Sequence, residues 1–170
     1  NDVDVVIPGL GVSYEASDGL FIFGGVHKGF SPPAPGSTAD APEEAINYEA
    51  GLRWTAGPIA TEAVAFFNDY DNLLGACTAS TGGGCDIGDQ FNGGAVEVTG
   101  LELSARGDLA EFTADTGFSF PASLAFTWTQ AEFQSAFSSD YEPWGDVSPG
   151  DELPYIPEFQ ANIGLGIARD

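Results

Sequence analysis

The sequence predicts an all-β protein, an antiparallel up-and-down meander of about seven long strands. Three observations carry that reading. Gly and Pro supply 23 and 11 of the 170 residues, while Lys and Arg together supply only 4, a composition poor in helix formers. Apolar and polar residues alternate with period two over several stretches, which a helix of period 3.6 would mix. The connections between these stretches alternate between short and long, so short turns gather at one end of the meander and long loops at the other.

The first strand, at about 4–15, and the second, at about 19–30, are joined by a tight turn at Ser17-Asp18. Leu20 to Val26 is apolar on both faces, so its orientation stays open. A Pro-, Ala- and acid-rich connection leads to the third strand, at about 45–55. There Ile46, Tyr48, Ala50, Leu52 and Trp54 alternate with Asn47, Glu49, Gly51 and Arg53. Ala56-Gly57-Pro58 turns the chain into a fourth strand at about 59–71, and a long loop at about 72–93 holds both cysteines. The fifth strand, at about 94–108, sets Leu101 and Leu103 against Gly100, Glu102 and Ser104. The sixth, at about 118–132, sets Leu124, Phe126 and Trp128 against Ser123, Thr127 and Thr129, with Pro121 marking a strand start, bulge or edge. A loop at about 133–156 carries Trp144, Tyr155 and several acids. In the seventh strand, at about 157–168, Phe159, Ala161, Ile163, Leu165 and Ile167 alternate with Glu158, Gln160, Asn162, Gly164 and Gly166.

Charge and composition exclude several classes. A formal charge of −22 repels phosphate backbones, so nucleic acid is not an expected partner. With 43% apolar and only 18% charged residues, the chain is no disordered acidic tail. Its apolar runs are too short for a transmembrane helix. It starts at Asn1, contains no Met and shows no basic head followed by an apolar run, from which a processed or excised piece is expected. Cys77 and Cys85 suit a small disulfide-closed loop in an oxidising compartment, with two free thiols as the other reading. No second CxxC pair or His cluster accompanies them as a zinc site would need.

Strands of about 10–15 residues exceed the usual 5–6 of soluble sheets. A tilted strand of about 10 residues crosses a bilayer. Transmembrane barrels combine short turns at one rim, long loops at the other, and strands apolar outside and polar inside. Tyr48, Trp54, Tyr70 and Trp128 near strand ends fit interfacial aromatic girdles. A soluble sandwich, whose inner face would also be apolar, is the competing architecture.

Five stretches resemble the C-terminal barrel half of TonB-dependent outer-membrane receptors, in particular the branch similar to ferric-dicitrate receptors. They are GVHKGFSPPAPG (25–36), EEAINYEAGLRW (43–54), EAVAFFNDYDNLLGACT (62–78), GDQFNGGAVEVTGLELSA (88–105) and GDVSPGDELPYIPEFQANIGLGI (145–167). The resemblance implies a barrel of about 22 strands around a plug domain. It also implies uptake of a scarce nutrient such as a ferric chelate or siderophore, and energy relayed by an inner-membrane partner. On that reading residues 1–170 are an incomplete barrel segment of the bacterial outer membrane, in contact with its lipid, without the plug or the remaining strands. Ferric chelate enters as cargo, and no cofactor is expected.

Polar-in alternation turns Asn47, Glu49, Arg53, Glu102, Gln160 and Asn162 toward the lumen and plug. Arg53 is expected to pair with Glu49 or with a neighbouring strand, contact with plug or substrate being the other reading. Among the loop aromatics, Trp144, Tyr155 and Tyr141 are the candidates for contact with the cargo; packing of loops on each other is the other reading. The lone His27 suits a hydrogen-bonding position at the rim. Gly residues inside the strands, among them Gly51 and Gly100, would allow bending and close approach of a plug.

The long loops hold many acids and no Lys or Arg, so groups that grip an anionic chelate are not expected in this piece. Those acids are read as a solvated surface; as calcium ligands they would instead make a secreted or surface β-domain binding calcium or carbohydrate. A small closed porin-like barrel is a third possibility. No HExxH, GxSxG, phosphate loop or lone-His catalytic constellation is present, and no enzymatic activity is expected.

Overall fold

The computed structural model describes residues 5–34, 41–78, 85–112 and 117–169. The strands are β1 (Gly9–Ser17), β2 (Leu20–Ser31), β3 (Glu43–Ala56), β4 (Ile59–Asp71), β5 (Leu74–Ala76), β6 (Gln90–Asn92), β7 (Val96–Asp108), β8 (Phe118–Ser119), β9 (Pro121–Phe133), β10 (Phe137–Ser138), β11 (Asp146–Val147), β12 (Phe159–Leu165) and β13 (Ala168–Arg169). A 3-10 turn, Leu109–Phe112, follows β7. Seven long strands form one antiparallel sheet in the order β1-β2-β3-β4-β7-β9-β12. Each pairs with the next long strand along the chain, which is the expected meander.

The register makes the two faces explicit. On one face Tyr14 opposes Ile22, Ile22 opposes Leu52, Leu52 opposes Ala63, Ala63 opposes Leu103, Leu103 opposes Phe126 and Phe126 opposes Ala161. The neighbouring rows are also apolar: Gly24, Ala50, Ala65, Leu101, Trp128 and Phe159 on one side, Ala105, Leu124 and Ile163 on the other. The belt is therefore continuous across seven strands, and its large side chains stand in the open: Ile163 is 71% and Leu165 78% exposed. No second sheet covers it among the described residues. From Ile46 to Trp54 the strand rises about 27 Å, the reach of a tilted strand across a bilayer.

At the long-loop end this face changes character. Asp69, Glu97 and Glu132 lie directly opposite one another on β4, β7 and β9, and an isolated bridge continues the row to Glu152. Like charges so placed repel and are tolerable only in water. The row is the upper limit of the belt. Lys28, in the adjoining part of β2, pairs there with Glu44 at 2.8 Å.

Several expectations shift in detail. β1 begins at Gly9, and residue 4 lies outside the described residues. Leu20 to Val26, left open by the sequence, places Leu20, Ile22 and Val26 in the belt and Phe21 and Phe23 on the opposite face. Phe23 lies over Gly51, and Phe66 lies over Gly100. The space above these two glycines is thus filled by aromatic rings of neighbouring strands rather than left for a plug.

The sixth expected strand breaks at Phe120. Asp108 Oδ1 accepts hydrogen bonds from the Ala110 and Phe120 N–H groups at 2.9 and 2.8 Å, pulling the chain into the 3-10 turn. β9 then starts at Pro121, a position where a missing N–H does no harm. β8 pairs with β13 instead. β1 and β12 each have one neighbour in the sheet, so it does not close into the small barrel considered above.

A Cβ at Gly100 would collide with the Phe66 ring and the Trp128 carbonyl oxygen. Gly100→Ala is expected to lower the stability of the protein by about 1–3 kcal/mol, read by thermal unfolding. An unchanged melting temperature would show that the ring does not rest on that glycine.

Candidate functional site

Two regions carry the polar and aromatic side chains that a binding function needs: the face opposite the belt, and the loops at its long-loop end. Asn47, Glu49 and Arg53 on β3, Glu102 on β7, and Gln160 and Asn162 on β12 all share the first. The pairing shows it directly. Arg53 opposes Glu62 and Glu62 opposes Ser104, while Glu102 opposes Thr127 and Thr127 opposes Gln160. Asn162 opposes Ala125, which opposes Ser104.

Arg53 finds its acid on a neighbouring strand. Its Nε donates to Glu62 Oε2 at 2.6 Å and its Nη2 contacts the same oxygen. The guanidinium also lies over Phe23, 5.5 Å from the ring centre, within cation–π range. Glu62 was not singled out from the sequence, although a signal existed: the turn between β3 and β4 pairs Ala56 with Ile59, and counting back brings Arg53 opposite Glu62. Glu49 instead reaches across the strand boundary toward Gly25, and Asn47 Nδ2 lies 3.5 Å from the His27 carbonyl oxygen. A groove of about 580 Å³ runs along this face past Arg53, Glu62, Ser104, Arg106, Ser123 and Asn162.

At the mouth the loops fold onto this same face. Val96, Phe133 and Val147 are buried together, with Tyr70, Leu73, Val98, Phe137, Trp144 and Leu153 packed around them. Trp144 meets Phe133, Phe137 and Tyr141 edge-on with ring centres 5.0–5.8 Å apart, and Tyr141 stacks on Phe91 at 5.3 Å. The indole rests directly on Gly75 of β5 and on Gly93 just after β6; a Cβ at either would sit 2.6 or 2.8 Å from its Cη2. The β5–β6 hairpin is therefore the seat of Trp144, and only glycine permits so close an approach.

Cys77 and Cys85 are disulfide-bonded across the far end of that hairpin; residues 79–84 between them lie outside the described residues. Cys77 donates to the Asp89 carbonyl and accepts from the Gly88 N–H at 2.8 and 3.0 Å. Glu43 Oε2 accepts from the Leu74 N–H at 3.0 Å, tying the hairpin to the start of β3. Tyr70, above the belt between Asp69 and Asp71, has its phenol pKa raised, first by burial beneath the loops and then by the Glu43 carboxylate.

The three aromatic candidates thus separate. Tyr141 is buried and Trp144 is packed into the loop core, so both hold the mouth together. Tyr155 stands alone, 81% exposed and with φ at 66°. That left-handed conformation is an outlier for a bulky residue and costs about 1–3 kcal/mol. Among the described residues no three His, Cys, Asp or Glu side chains converge on one point.

The family model described as TonB dependent receptor-like, beta-barrel matches residues 1–168. Among functionally curated proteins none matches the chain by sequence. Among solved structures, the ferric yersiniabactin uptake receptor FyuA from Yersinia pestis is similar at TM-score 0.59 and 21% identity, over 92% of this chain and 22% of that one. The unliganded ferric citrate transporter FecA is similar at TM-score 0.62 and 20% identity, over 94% of this chain and 22% of that one. The ferric enterobactin receptor PfeA gives TM-score 0.50 and 15% identity, over 96% and 32%. At these identities the structures show a shared fold. The chain spans about a fifth of the length of the first two.

Truncating Trp144 to Ala is expected to cost about 3–5 kcal/mol of local stability. Hydrogen exchange should then accelerate at both Leu74–Ala76 and Phe137–Ser138, with β3 and β4 unaffected. Acceleration confined to one loop would show that the indole does not join them. Reduction of the Cys77–Cys85 bridge should loosen the hairpin alone, by about 2–4 kcal/mol.

Proposed function

Because this chain belongs to the TonB-dependent receptor-like β-barrel family, we propose that it is a wall segment of an outer-membrane receptor that imports a scarce nutrient, with a ferric chelate as the cargo class. One observation carries the reading: a seven-strand sheet with an unbroken apolar belt on one face and a polar, charged face behind it. A soluble protein would bury that belt, whereas a lipid-facing wall needs it open. The long-loop end then faces outward, the short-turn end faces the periplasm, and the polar face meets a plug contributed by the rest of the receptor.

The work of such a wall is non-covalent, and we assign it no enzymatic step. Cargo binds at the outer mouth, and an inner-membrane partner drives the plug to rearrange and release it inward. Asn47, Glu49, Arg53, Glu102, Gln160 and Asn162 line the path on the lumen side. Arg53 is already engaged by Glu62, and the long loops contain no Lys or Arg, so groups that hold an anionic cargo belong elsewhere in the receptor. Tyr155 is the aromatic side chain free to meet cargo at the mouth, while Trp144 and Tyr141 act through the packing that positions the loops.

Cells carrying the full receptor should accumulate the labelled ferric chelate only while the inner membrane is energised. Uptake that persists after uncoupling would refute active transport. Tyr155→Ala should weaken cargo binding about 10-fold, roughly 1.4 kcal/mol, without lowering the melting temperature. Recovery of the full protein as a water-soluble monomer without detergent would overturn the membrane reading itself.

A further inference from the structure

The seat of Trp144 is built on a chemically reactive step. Asn92-Gly93 is the one place in the chain where Gly follows Asn. At such a step the Gly amide nitrogen can attack the Asn side-chain carbonyl carbon, because Gly has no Cβ to obstruct the approach. A bond forms between Gly93 N and Asn92 Cγ, and the bond from Cγ to Nδ2 breaks. The side-chain nitrogen leaves as ammonia, taking up the Gly93 amide proton. Water then opens the cyclic imide at either carbonyl, leaving aspartate or isoaspartate at position 92.

The fold keeps the reacting atoms off that course. Gly93 is buried, and its N–H donates to the Leu73 carbonyl at 2.7 Å, so the attacking nitrogen is engaged through its proton. Asn92, the last residue of β6, is exposed to water, yet both ends of its side-chain amide are held. Nδ2 donates to Asn72 Oδ1 at 3.0 Å, and Oδ1 accepts from the Gly94 N–H at 2.7 Å. The Leu73 N–H donates to the Gly94 carbonyl at 3.0 Å, which extends the hairpin ladder past the reactive step. The Trp144 indole closes over Gly93, where a Cβ would sit 2.8 Å from Cη2. Attack therefore requires Gly93 to part from Leu73 and the indole to lift.

We propose that Asn92 is a latent deamidation site, kept unreacted by the packing of the mouth, and that its conversion unseats the β5–β6 hairpin. Aspartate at this position loses the donor to Asn72 Oδ1. Isoaspartate carries the backbone through the side-chain carbon and so inserts a methylene ahead of Gly93, where the indole leaves no room for it. The site depends only on the loop packing and not on what the protein transports.

The test warms the full-length protein at mildly alkaline pH and follows the Asn92 peptide by mass spectrometry. Only opened molecules react, so the folded protein should convert about 100-fold more slowly than the same protein in denaturant. Trp144→Ala should convert about 10-fold faster than the wild type. Reduction of the Cys77–Cys85 bridge should also speed conversion; it needs no substitution and so covers the case of a variant that fails to fold. Converted molecules should show faster hydrogen exchange at Leu74–Ala76. Conversion of the folded protein as fast as in denaturant, or equally slow conversion in denaturant, overturns the proposal. So does a rate that neither Trp144→Ala nor reduction changes. Unaltered exchange at Leu74–Ala76 after conversion sinks the claim that the hairpin is unseated.

Discussion

Hydrogen bonding between neighbouring strands decides which side chains share a face, and the rest of this molecule follows from it. The ladder from β1 to β12 keeps its pairing through β2, β3, β4, β7 and β9, with one irregularity near Glu15. A slip of one residue in any strand would exchange its apolar and polar sets. Inside a bilayer an unpaired backbone group has no water to turn to, so long strands joined by tight turns satisfy two demands together. They pair their backbone and keep a uniform apolar surface. The same parity places Arg53 opposite Glu62 and brings Asp69, Glu97 and Glu132 into one row above the belt.

A wall built this way has no ordinary core. Its large apolar side chains point away from the protein, and the few fully buried ones, Val96 and Phe133, lie where the loops fold back on the mouth. The mouth is therefore the place where packing within the chain itself supplies the apolar environment. Trp144 is its centre because it meets aromatic rings from β9 and β10 on one side and bare glycine backbone from the β5–β6 hairpin on the other. The Cys77–Cys85 bridge and the Glu43 carboxylate brace that hairpin from beyond and below. A rigid mouth leaves Tyr155 as the exposed aromatic group, held in a strained backbone conformation.

Glycine shows why local sequence signals can mislead here. Gly51 and Gly100 looked like openings for a plug, but neighbouring rings from Phe23 and Phe66 already fill them. Gly75 and Gly93 carried no signal at all, since the residue that needs them lies in a different loop. The turn after β7 was legible only as the gap between the fifth and sixth expected strands; its capping by Asp108 and the direction of Leu109 and Phe112 emerge from hydrogen bonds to residues beyond the turn.

The sequence by itself determined the class of fold, the seven long strands and their alternation. Period two is a local property, and Gly-, Pro- and Asp-containing turns announce themselves within a few residues. The polar residues Asn47, Glu49, Arg53, Glu102, Gln160 and Asn162 could be assigned to one face for the same reason. Only the tertiary structure decided the partner of Arg53, the orientation of Leu20 to Val26, and the division of labour between Trp144, Tyr141 and Tyr155. Each of these depends on which strand or loop lies alongside, a contact between residues distant in the chain that no local pattern records.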